Sequence, residues 1–448
     1  MNSNNMKRWM SKRSKGIDLY NKAKKIIPGG TQLLSKRPEM FLPGQWPSYY
    51  SKCKGVEVWD LDGNKYVDMT INGVGACVLG YADQDVDNAV KRAIDGGTMC
   101  TLNCPEEVEL AELLCQLHPW AEMVRYARCG GEAMAIAIRV ARAATGRDKI
   151  AFCGYHGWHD WYLAANLADD ENLDGQLLPG LEPAGVPRAL VGTAIPFNYN
   201  QPETLDKIVS QEGSSIAAIV MEPVRNSEPR AGFLYHVRKV ADSIGAALVF
   251  DEVTSGFRMN IGGIHLLYNV KPDIAVFAKG ISNGYPMAAI IGNRKVMESV
   301  QKTFISSTYW TERIGPVATL ATIMKYRKNS VAEHLIKIGG LAQSGWADLG
   351  AKHGLIIKIS GIAPLSHWQL EMEDSQLAHT IVNKKMLEKG FLASKAFYAT
   401  YAHTEKIITS YLHALDETLG ELKKLIKNGD MNKYYHGSVA HNGFKRLA

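Results

Sequence analysis

Six short apolar segments recur through the middle of the chain, and they constrain its fold more than any other feature. They read VRYA from Val124, KIAFCG from Lys149, IAAIVME from Ile216, AALVFDE from Ala246, DIAVFAKG from Asp273 and MAAIIG from Met287. Unbroken apolar runs of this length are typical of strands that are buried on both faces. Stretches with helical spacing begin between them at Glu132 and Phe233, and each ends at a glycine. This alternation predicts an α/β fold with a mostly parallel sheet.

The length of 448 residues is enough for roughly two or three packed units. We predict a large domain over residues 66–325. The segments 1–65 and 326–448 are expected to form a smaller α+β domain from both ends of the chain. The net charge of +6 is spread along the sequence and is too small to indicate a nucleic-acid partner. Neither a secretory signal nor an apolar run of about 18 residues is present, so we expect a cytoplasmic protein without a membrane partner.

The seven cysteines all lie between Cys53 and Cys153. An odd number in a large chain, without a CxxC pair and a second such pair, indicates reduced thiols rather than disulfides. Cys100 and Cys104 are spaced as two thiolate ligands could be, but two ligands do not complete a tetrahedral zinc site. We therefore expect no metal.

A glycine pair marks one candidate anion site. Gly130 and Gly131 follow the predicted strand at Val124 and precede the predicted helix that includes Glu132. Free backbone N–H groups at a helix start attract phosphate, and glycines allow a close approach of the backbone. On its own this pattern is equally consistent with a tight turn.

An acid and a lysine follow two of the predicted strands. Asp251 ends the segment AALVFD, and Lys279 follows DIAVFA, so both are expected at carboxyl ends of strands, where ligands bind in parallel sheets. The two side chains could form an ion pair. Alternatively, Lys279 could form an imine with an aldehyde while Asp251 faces a pyridine nitrogen, with the ring of Tyr155 covering one face. Together with the glycine pair, this second reading points to pyridoxal phosphate.

Several longer motifs occur in an order that resembles the class III pyridoxal-phosphate-dependent aminotransferases, most closely their glutamate-1-semialdehyde 2,1-aminomutase branch. These motifs are PGG at Pro28, CGGEAMAIAIRVARAATGRDKI from Cys129, YHGWHD from Tyr155, MEPV from Met221, DEVTSGFR from Asp251, VFAKGISNGYPMAAIIG from Val276 and AHT at Ala402. The resemblance runs over nearly the whole chain. It implies the fold type I of these transferases.

The resemblance also implies roles for individual residues. Lys279 would hold the cofactor aldehyde and move protons as the catalytic acid and base, and Asp251 would pair with the pyridine nitrogen. The other residues expected at the cofactor are Val253, Tyr155, His156, Gly130, Gly131 and Glu222. Thr308 would reach the phosphate from the neighbouring subunit, so the active form is expected to be a homodimer.

The sequence departs from the aminomutase pattern mainly around the substrate. Lys36 stands where an arginine is expected, and Lys395 replaces a glutamate. Asn226 could approach the ring hydroxyl, although the motif around it differs from the family. Cys129, Gly130 and Gly131 replace the usual Ser-Gly-Thr, which removes a hydroxyl contact to the phosphate. Two lysines at the substrate would favour an anionic molecule, whereas lysines on the surface would carry no such meaning.

These features predict an aminotransferase that moves an amino group between an amino donor and a small carbonyl acceptor, expected to be anionic and amino-acid-like or sugar-derived. Intramolecular amino transfer, as in the aminomutases, and a racemase or epimerase on the same cofactor are alternatives. A protein of a different class would bind a phosphate or nucleotide without catalysis, with Lys279 only pairing with Asp251. A nicotinamide dehydrogenase is disfavoured, because the required GxGxxG turn is missing.

Overall fold

The computed structural model describes residues 14–167, 184–224 and 226–442. The strands in chain order are β1 (Tyr50–Lys54), β2 (Glu57–Asp60), β3 (Lys65–Met69), β4 (Met123–Ala127), β5 (Lys149–Cys153), β6 (Ala194–Pro196), β7 (Ile216–Met221), β8 (Ala247–Asp251), β9 (Ile274–Phe277), β10 (Ala288–Gly292), β11 (Ile357–Ser360), β12 (Leu365–Leu370), β13 (Phe391–Ala393) and β14 (Ala396–Tyr398).

The α-helices in chain order are α1 (Lys15–Ile26), α2 (Gln84–Asp95), α3 (Glu106–Leu117), α4 (Gly130–Thr145), α5 (Asp160–Leu163), α6 (Pro202–Glu212), α7 (Phe233–Ile244), α8 (Arg294–Met297), α9 (Ile314–Asn329), α10 (Val331–His353), α11 (Ser375–Glu388), α12 (Glu405–Asn428) and α13 (Met431–Tyr434). None of these helices is both long and apolar enough to cross a membrane.

The contacts within the chain define two compact units. The larger unit consists of residues 75–78 and 84–334. The smaller unit consists of residues 1–74, 79–83 and 335–448.

A seven-stranded sheet in the order β4-β10-β9-β8-β7-β5-β6 forms the centre of the larger unit. Strands β5 to β9 pair in parallel, whereas β10 is antiparallel to both of its neighbours, β9 and β4. All six apolar segments form strands of this sheet, which confirms the predicted α/β fold. The sequence analysis missed β6, which lies at the edge of the sheet, where a strand that contains a proline is tolerated.

Helices cover both faces of this sheet, which is why its strands are apolar on both sides. Helix α4 turns Ala133, Ala137 and Ala141, all fully buried and four residues apart, to a core that includes Val249 of β8. Helix α7 packs on the opposite core, which includes Phe250. Strand β8 is therefore enclosed from Ala247 to Asp251 and presents a carboxylate at its end.

The smaller unit contains two sheets, in the orders β1-β2-β3-β13 and β11-β12-β14. Strands β3 and β13 come from opposite ends of the sequence and pair in parallel, with Val67 next to Phe391. Helix α11 is buried along most of its length and packs against α12. The N-terminal and C-terminal segments thus share one sheet.

Candidate active site

Asp251 is a buried carboxylate at the carboxyl end of β8. Its side chain is almost fully enclosed, with 3% of the residue surface exposed. Oδ1 accepts a hydrogen bond from the backbone N–H of Val253 at 3.0 Å, and Oδ2 lies 2.8 Å from Nδ1 of His156. A buried carboxylate is tolerated only where such donors surround it. The contacts hold Asp251 in one orientation.

His156 is buried and in direct contact with the carboxylate of Asp251. Its Nε2 lies 3.0 Å from the carbonyl oxygen of Cys153, so both ring nitrogens face oxygen atoms that only accept hydrogen bonds. A doubly protonated ring satisfies both contacts and places a positive charge beside the carboxylate. His156 was predicted among the cofactor residues, and the structure places it against Asp251.

Lys279 lies at the end of the neighbouring strand, one residue after Ala278. Its backbone adopts a left-handed conformation with φ of 50°. Such a conformation is uncommon for a residue with a side chain and is found preferentially at functional sites. The half-buried side chain donates a hydrogen bond from Nζ to Oγ1 of Thr254 at 2.7 Å. Asp251 and Lys279 thus end adjacent parallel strands, β8 and β9.

The glycine pair forms the start of helix α4, as predicted. A Cβ atom on Gly130 would lie 2.9 Å from Cγ1 of Val253, and a Cβ atom on Gly131 would lie 3.3 Å from Cδ2 of His159. The carboxylate of Glu132 accepts the N–H groups of Arg128 and Cys129 at 3.1 and 3.0 Å. The helix start therefore lies close to the segment after Asp251, with space that only glycine leaves open.

Tyr155 and Glu222 lie at the ends of two other parallel strands. A carboxylate oxygen of Glu222 accepts the N–H of Tyr155 at 3.2 Å, and a Cβ atom on Gly154 would come within 2.8 Å of the same oxygen. The ring of Tyr155 remains 42% exposed and lies edge-on to Tyr162. Burial raises the pKa of the nearby Cys153 thiol to about 12, so this cysteine stays protonated.

Four predicted residues are not brought to this cluster by any described contact. Thr308 lies in an exposed 3-10 turn of the larger unit, and Asn226 is exposed. Lys36 and Lys395 belong to the smaller unit. Lys36 is exposed, whereas Lys395 is half-buried and donates a hydrogen bond to Oε1 of Gln376.

The sequence analysis missed two features of the site. One is Thr254, although it stands within the DEVTSGFR motif, three residues after Asp251. The other is a buried network around Glu252, which accepts hydrogen bonds from Nδ1 of His265 at 2.7 Å and from Oγ of Ser255 at 2.7 Å. Trp120 donates to Nε2 of the same histidine at 3.0 Å, which fixes a neutral ring with its proton on Nδ1. No periodicity in the sequence marks these partners.

The larger unit offers the groups that pyridoxal phosphate requires. A helix start that a Cβ would fill suits the phosphate, the enclosed carboxylate of Asp251 suits a pyridine nitrogen, and the amine of Lys279 suits an aldehyde. Within residues 14–167, 184–224 and 226–442, histidine, cysteine, aspartate and glutamate form no group of three or more that could hold a metal ion.

Comparison with known proteins extends this picture. The model of the aminotransferase class-III family matches residues 43–426. The 3-aminobutyryl-CoA aminotransferase of Cloacimonas acidaminovorans (strain Evry) is 29% identical over 93% of this chain and 99% of its own length. The glutamate-1-semialdehyde 2,1-aminomutase of Desulforamulus reducens is 32% identical over 89% of this chain and 96% of its own. A solved structure of a transaminase with pyridoxal phosphate bound superposes with a TM-score of 0.80, at 25% identity, over 92% of this chain and 98% of that one.

Proposed function

This chain belongs to the class-III aminotransferases, which use pyridoxal phosphate, and on that premise we propose that it transfers an amino group between an amino donor and a small anionic carbonyl acceptor. The family match confirms the resemblance indicated by the motifs, together with the predicted cofactor and fold type. The observation that carries the residue assignment is the placement of Asp251 and Lys279 at the ends of adjacent strands.

Four residues of the cluster would take part directly in this reaction. Pyridoxal phosphate, when bound, supplies an aldehyde for covalent bonding to amines and a ring that withdraws electrons. The N–H groups of Gly130 and Gly131 would hold its phosphate, and Asp251 would hold a proton at its ring nitrogen. Lys279 would hold the aldehyde in the resting enzyme. Once displaced by a substrate amine, Lys279 would act first as a general base, which removes a proton from the substrate carbon. It would then act as a general acid, which delivers this proton to a carbon of the cofactor.

The proposal of an anionic substrate rests on Lys395. This lysine is half-buried, and burial lowers its pKa; among the residues that the structure describes, no carboxylate offsets this effect. Its described hydrogen-bond partner, Gln376, is neutral. Burying a cation without a counter-charge is unfavourable, and an anionic group on a substrate would remove that cost. Lys36, in its exposed turn, would also bind the anionic group of the substrate. Asn226 would be a further contact of the substrate.

Intramolecular amino transfer is the second candidate, because the relative from Desulforamulus reducens is an aminomutase. The lysines at positions 36 and 395 argue against it, since they stand where the aminomutase pattern has an arginine and a glutamate. A requirement for a separate amino donor would distinguish the two reactions. The aminomutase reaction needs one substrate only.

A homodimer would complete the site. Thr308 would contact the phosphate of the neighbouring subunit from its exposed turn. Two large apolar side chains flank it on the surface, Phe304 at 83% exposure and Tyr309 at 68%. Side chains of this kind are common at the centres of protein interfaces. The proposal is therefore that this surface is buried between two copies of the chain.

The absorption spectrum of the purified protein tests the proposed chemistry. We expect a visible band that borohydride abolishes, followed by recovery of the reduced cofactor on the peptide that contains Lys279. Lys279→Ala should remove turnover while phosphate contacts retain part of the cofactor, and Lys271→Ala, at an exposed lysine eight residues earlier in the sequence, should change neither. A reduced cofactor found on another lysine would overturn the assignment of Lys279. Screening amino donors against anionic acceptors would then identify the substrate.

A further inference from the structure

The hydrogen bond from Lys279 to Thr254 joins the proposed catalytic amine to a neutral hydroxyl. The Nζ to Oγ1 distance is 2.7 Å, and Thr254 is 7% exposed. The hydroxyl lies on the segment that follows Asp251, so a single short stretch of chain carries both the carboxylate and the partner of the amine. Thr254 is not among the residues that would bind the cofactor or move the substrate proton.

Thr254 is held in place by its surroundings. Its carbonyl oxygen accepts a hydrogen bond from Nε of Arg258 at 3.3 Å, and Arg258 is itself fully buried. The backbone turns tightly here, with the N–H of Gly256 donating to the carbonyl oxygen of Glu252 at 2.8 Å. Because threonine is branched at Cβ, its side chain has few rotamers. The hydroxyl therefore occupies a defined position.

We propose that Thr254 is a positioning residue that holds the Lys279 amine during the interval in which the amine is not bonded to the cofactor. Both the ammonium and the neutral amine carry N–H groups, so Oγ1 can accept a hydrogen bond from either form. The contact would restrict rotation of a flexible four-carbon side chain while the amine takes up and delivers its proton. This inference rests on the proposed function of Lys279.

The variants Thr254→Val and Thr254→Ser test this role. Valine removes the hydroxyl with little change of shape, and serine retains it. We expect kcat of Thr254→Val to fall about 10- to 100-fold, as for a catalytic group that loses its orientation. KM for the amino donor should stay close to the wild-type value, and Thr254→Ser should recover most of the rate. Thr322→Val is the matched control, because Thr322 is fully buried and its hydroxyl donates only to the backbone of Ala318 at 2.8 Å.

A second readout does not depend on catalysis. The full-length protein is freed of cofactor and acetylated with acetic anhydride across a pH series, and the labelling of Lys279 is followed by mass spectrometry. Removing a hydrogen-bond acceptor disfavours the charged amine, so the labelling curve of Thr254→Val should move to lower pH. Thr254→Ser and Thr322→Val should follow the wild type.

The possible results distinguish a failure of the positioning role of Thr254 from a failure of the proposed function of Lys279. If Thr254→Val keeps the wild-type kcat and labelling curve, the positioning role is wrong. It is also wrong if Thr254→Ser is as slow as Thr254→Val, because the loss would then come from packing. If instead the wild-type protein lacks a borohydride-sensitive band, the proposed function of Lys279 fails, whereas a shifted labelling curve would still establish the contact between the amine and Thr254.

Discussion

Nδ1 of His156 lies 2.8 Å from Oδ2 of Asp251, and both side chains are almost completely enclosed. The histidine thus holds one oxygen of the carboxylate, while the backbone N–H of Val253 holds the other. Its other nitrogen is held by the carbonyl oxygen of Cys153, which prevents the ring from rotating away. A short sequence motif, YHG, therefore serves a residue almost a hundred positions later in the chain.

Replacing His156 with asparagine should weaken this support. Asparagine can donate one hydrogen bond to Asp251 but brings no positive charge, so the carboxylate loses its charged partner. We expect the free energy of unfolding to fall by about 3–5 kcal/mol, as when a buried ion pair is broken, and the affinity for pyridoxal phosphate to fall with it. Chemical denaturation and cofactor titration measure both. His413→Asn, at a side chain that is 76% exposed, should be neutral; equal behaviour of the two variants would contradict the role of His156.

Gly130→Ala tests the close approach of helix α4 to Val253. The added methyl group would lie 2.9 Å from Cγ1 of Val253 and must displace one of the two segments. Overpacking of this kind costs about 1–3 kcal/mol, and here the shift occurs where the phosphate is expected to bind. We therefore expect a clear rise in the Kd for pyridoxal phosphate. Gly340→Ala is the control, because no atom lies within 4 Å of its added methyl group. An unchanged Kd in Gly130→Ala would show that the phosphate binds elsewhere.

His118 predicts how stability responds to acid. Burial lowers the pKa of this fully enclosed histidine from 6.5 to about 4. The unfolded chain therefore takes up a proton at His118 near pH 6.5, whereas the folded protein takes up this proton only near pH 4. Acidification through this window should reduce the free energy of unfolding by up to about 1.4 kcal/mol per pH unit from this residue alone.

His118→Gln removes that titration while it can keep both hydrogen bonds, to the carbonyl oxygen of Leu114 and from the N–H of Gly263. The slope of unfolding free energy against pH should become shallower in this variant. Denaturation curves at several pH values measure the slope, and His413→Gln should retain the wild-type dependence. Identical slopes in His118→Gln and the wild type would show that folding does not lower the pKa of His118.

Lys395→Met tests the proposed anionic substrate. Methionine keeps the length of the side chain and removes the charge. If Lys395 binds an anionic group, KM for the acceptor should rise about 10- to 100-fold, the usual effect of losing a hydrogen bond to a charged group, with a smaller change in kcat. Lys358→Met, at an exposed position of β11 in the same unit, should have no effect. An unchanged KM together with increased stability would indicate that Lys395 is a half-buried cation without a role in substrate binding.

Phe304→Glu tests the proposed homodimer. A charge at a side chain that is 83% exposed in one chain costs little unless a second copy covers it. We expect a dimer of the wild type by light scattering and at least a tenfold weaker dimer of the variant, since two buried phenylalanines contribute about 1.5–3 kcal/mol each. Tyr235→Glu, at 69% exposure, should remain dimeric. If Phe304→Glu and Tyr235→Glu both dimerise as strongly as the wild type, the interface lies on another surface.

The strands of the larger unit could be predicted from the sequence because burial on both faces leaves an unbroken apolar run, as from Ala247 to Phe250. Charged residues also marked where two of these runs end, Asp251 after the run in β8 and Lys279 after the run in β9. The short strand β6 could not be recognised, because Ala194–Pro196 is too short to form a pattern. Local sequence also gives no sign that β3 pairs with β13, which depends on contacts between distant segments.

The site itself was predictable only where a residue type suits one chemistry. A lysine, an acid and a glycine pair indicate a cofactor because their chemistry suits its groups and because each follows a predicted strand. The partners of these residues are set by packing: the contact of His156 with Asp251 and that of Thr254 with Lys279 arise where separate loops converge. The network of Glu252, His265 and Trp120 spans more than a hundred residues of sequence and carries no local signal.

The pairing of Val67 with Phe391 has a consequence for synthesis on the ribosome. Strand β3 emerges early but must wait for β13, and at roughly 5–20 residues per second this delay is on the order of tens of seconds. All of residues 84–334 leave the ribosome within that interval. The larger unit can therefore complete its own sheet first, while the edge of β3 remains open to chaperones until β13 has been synthesised.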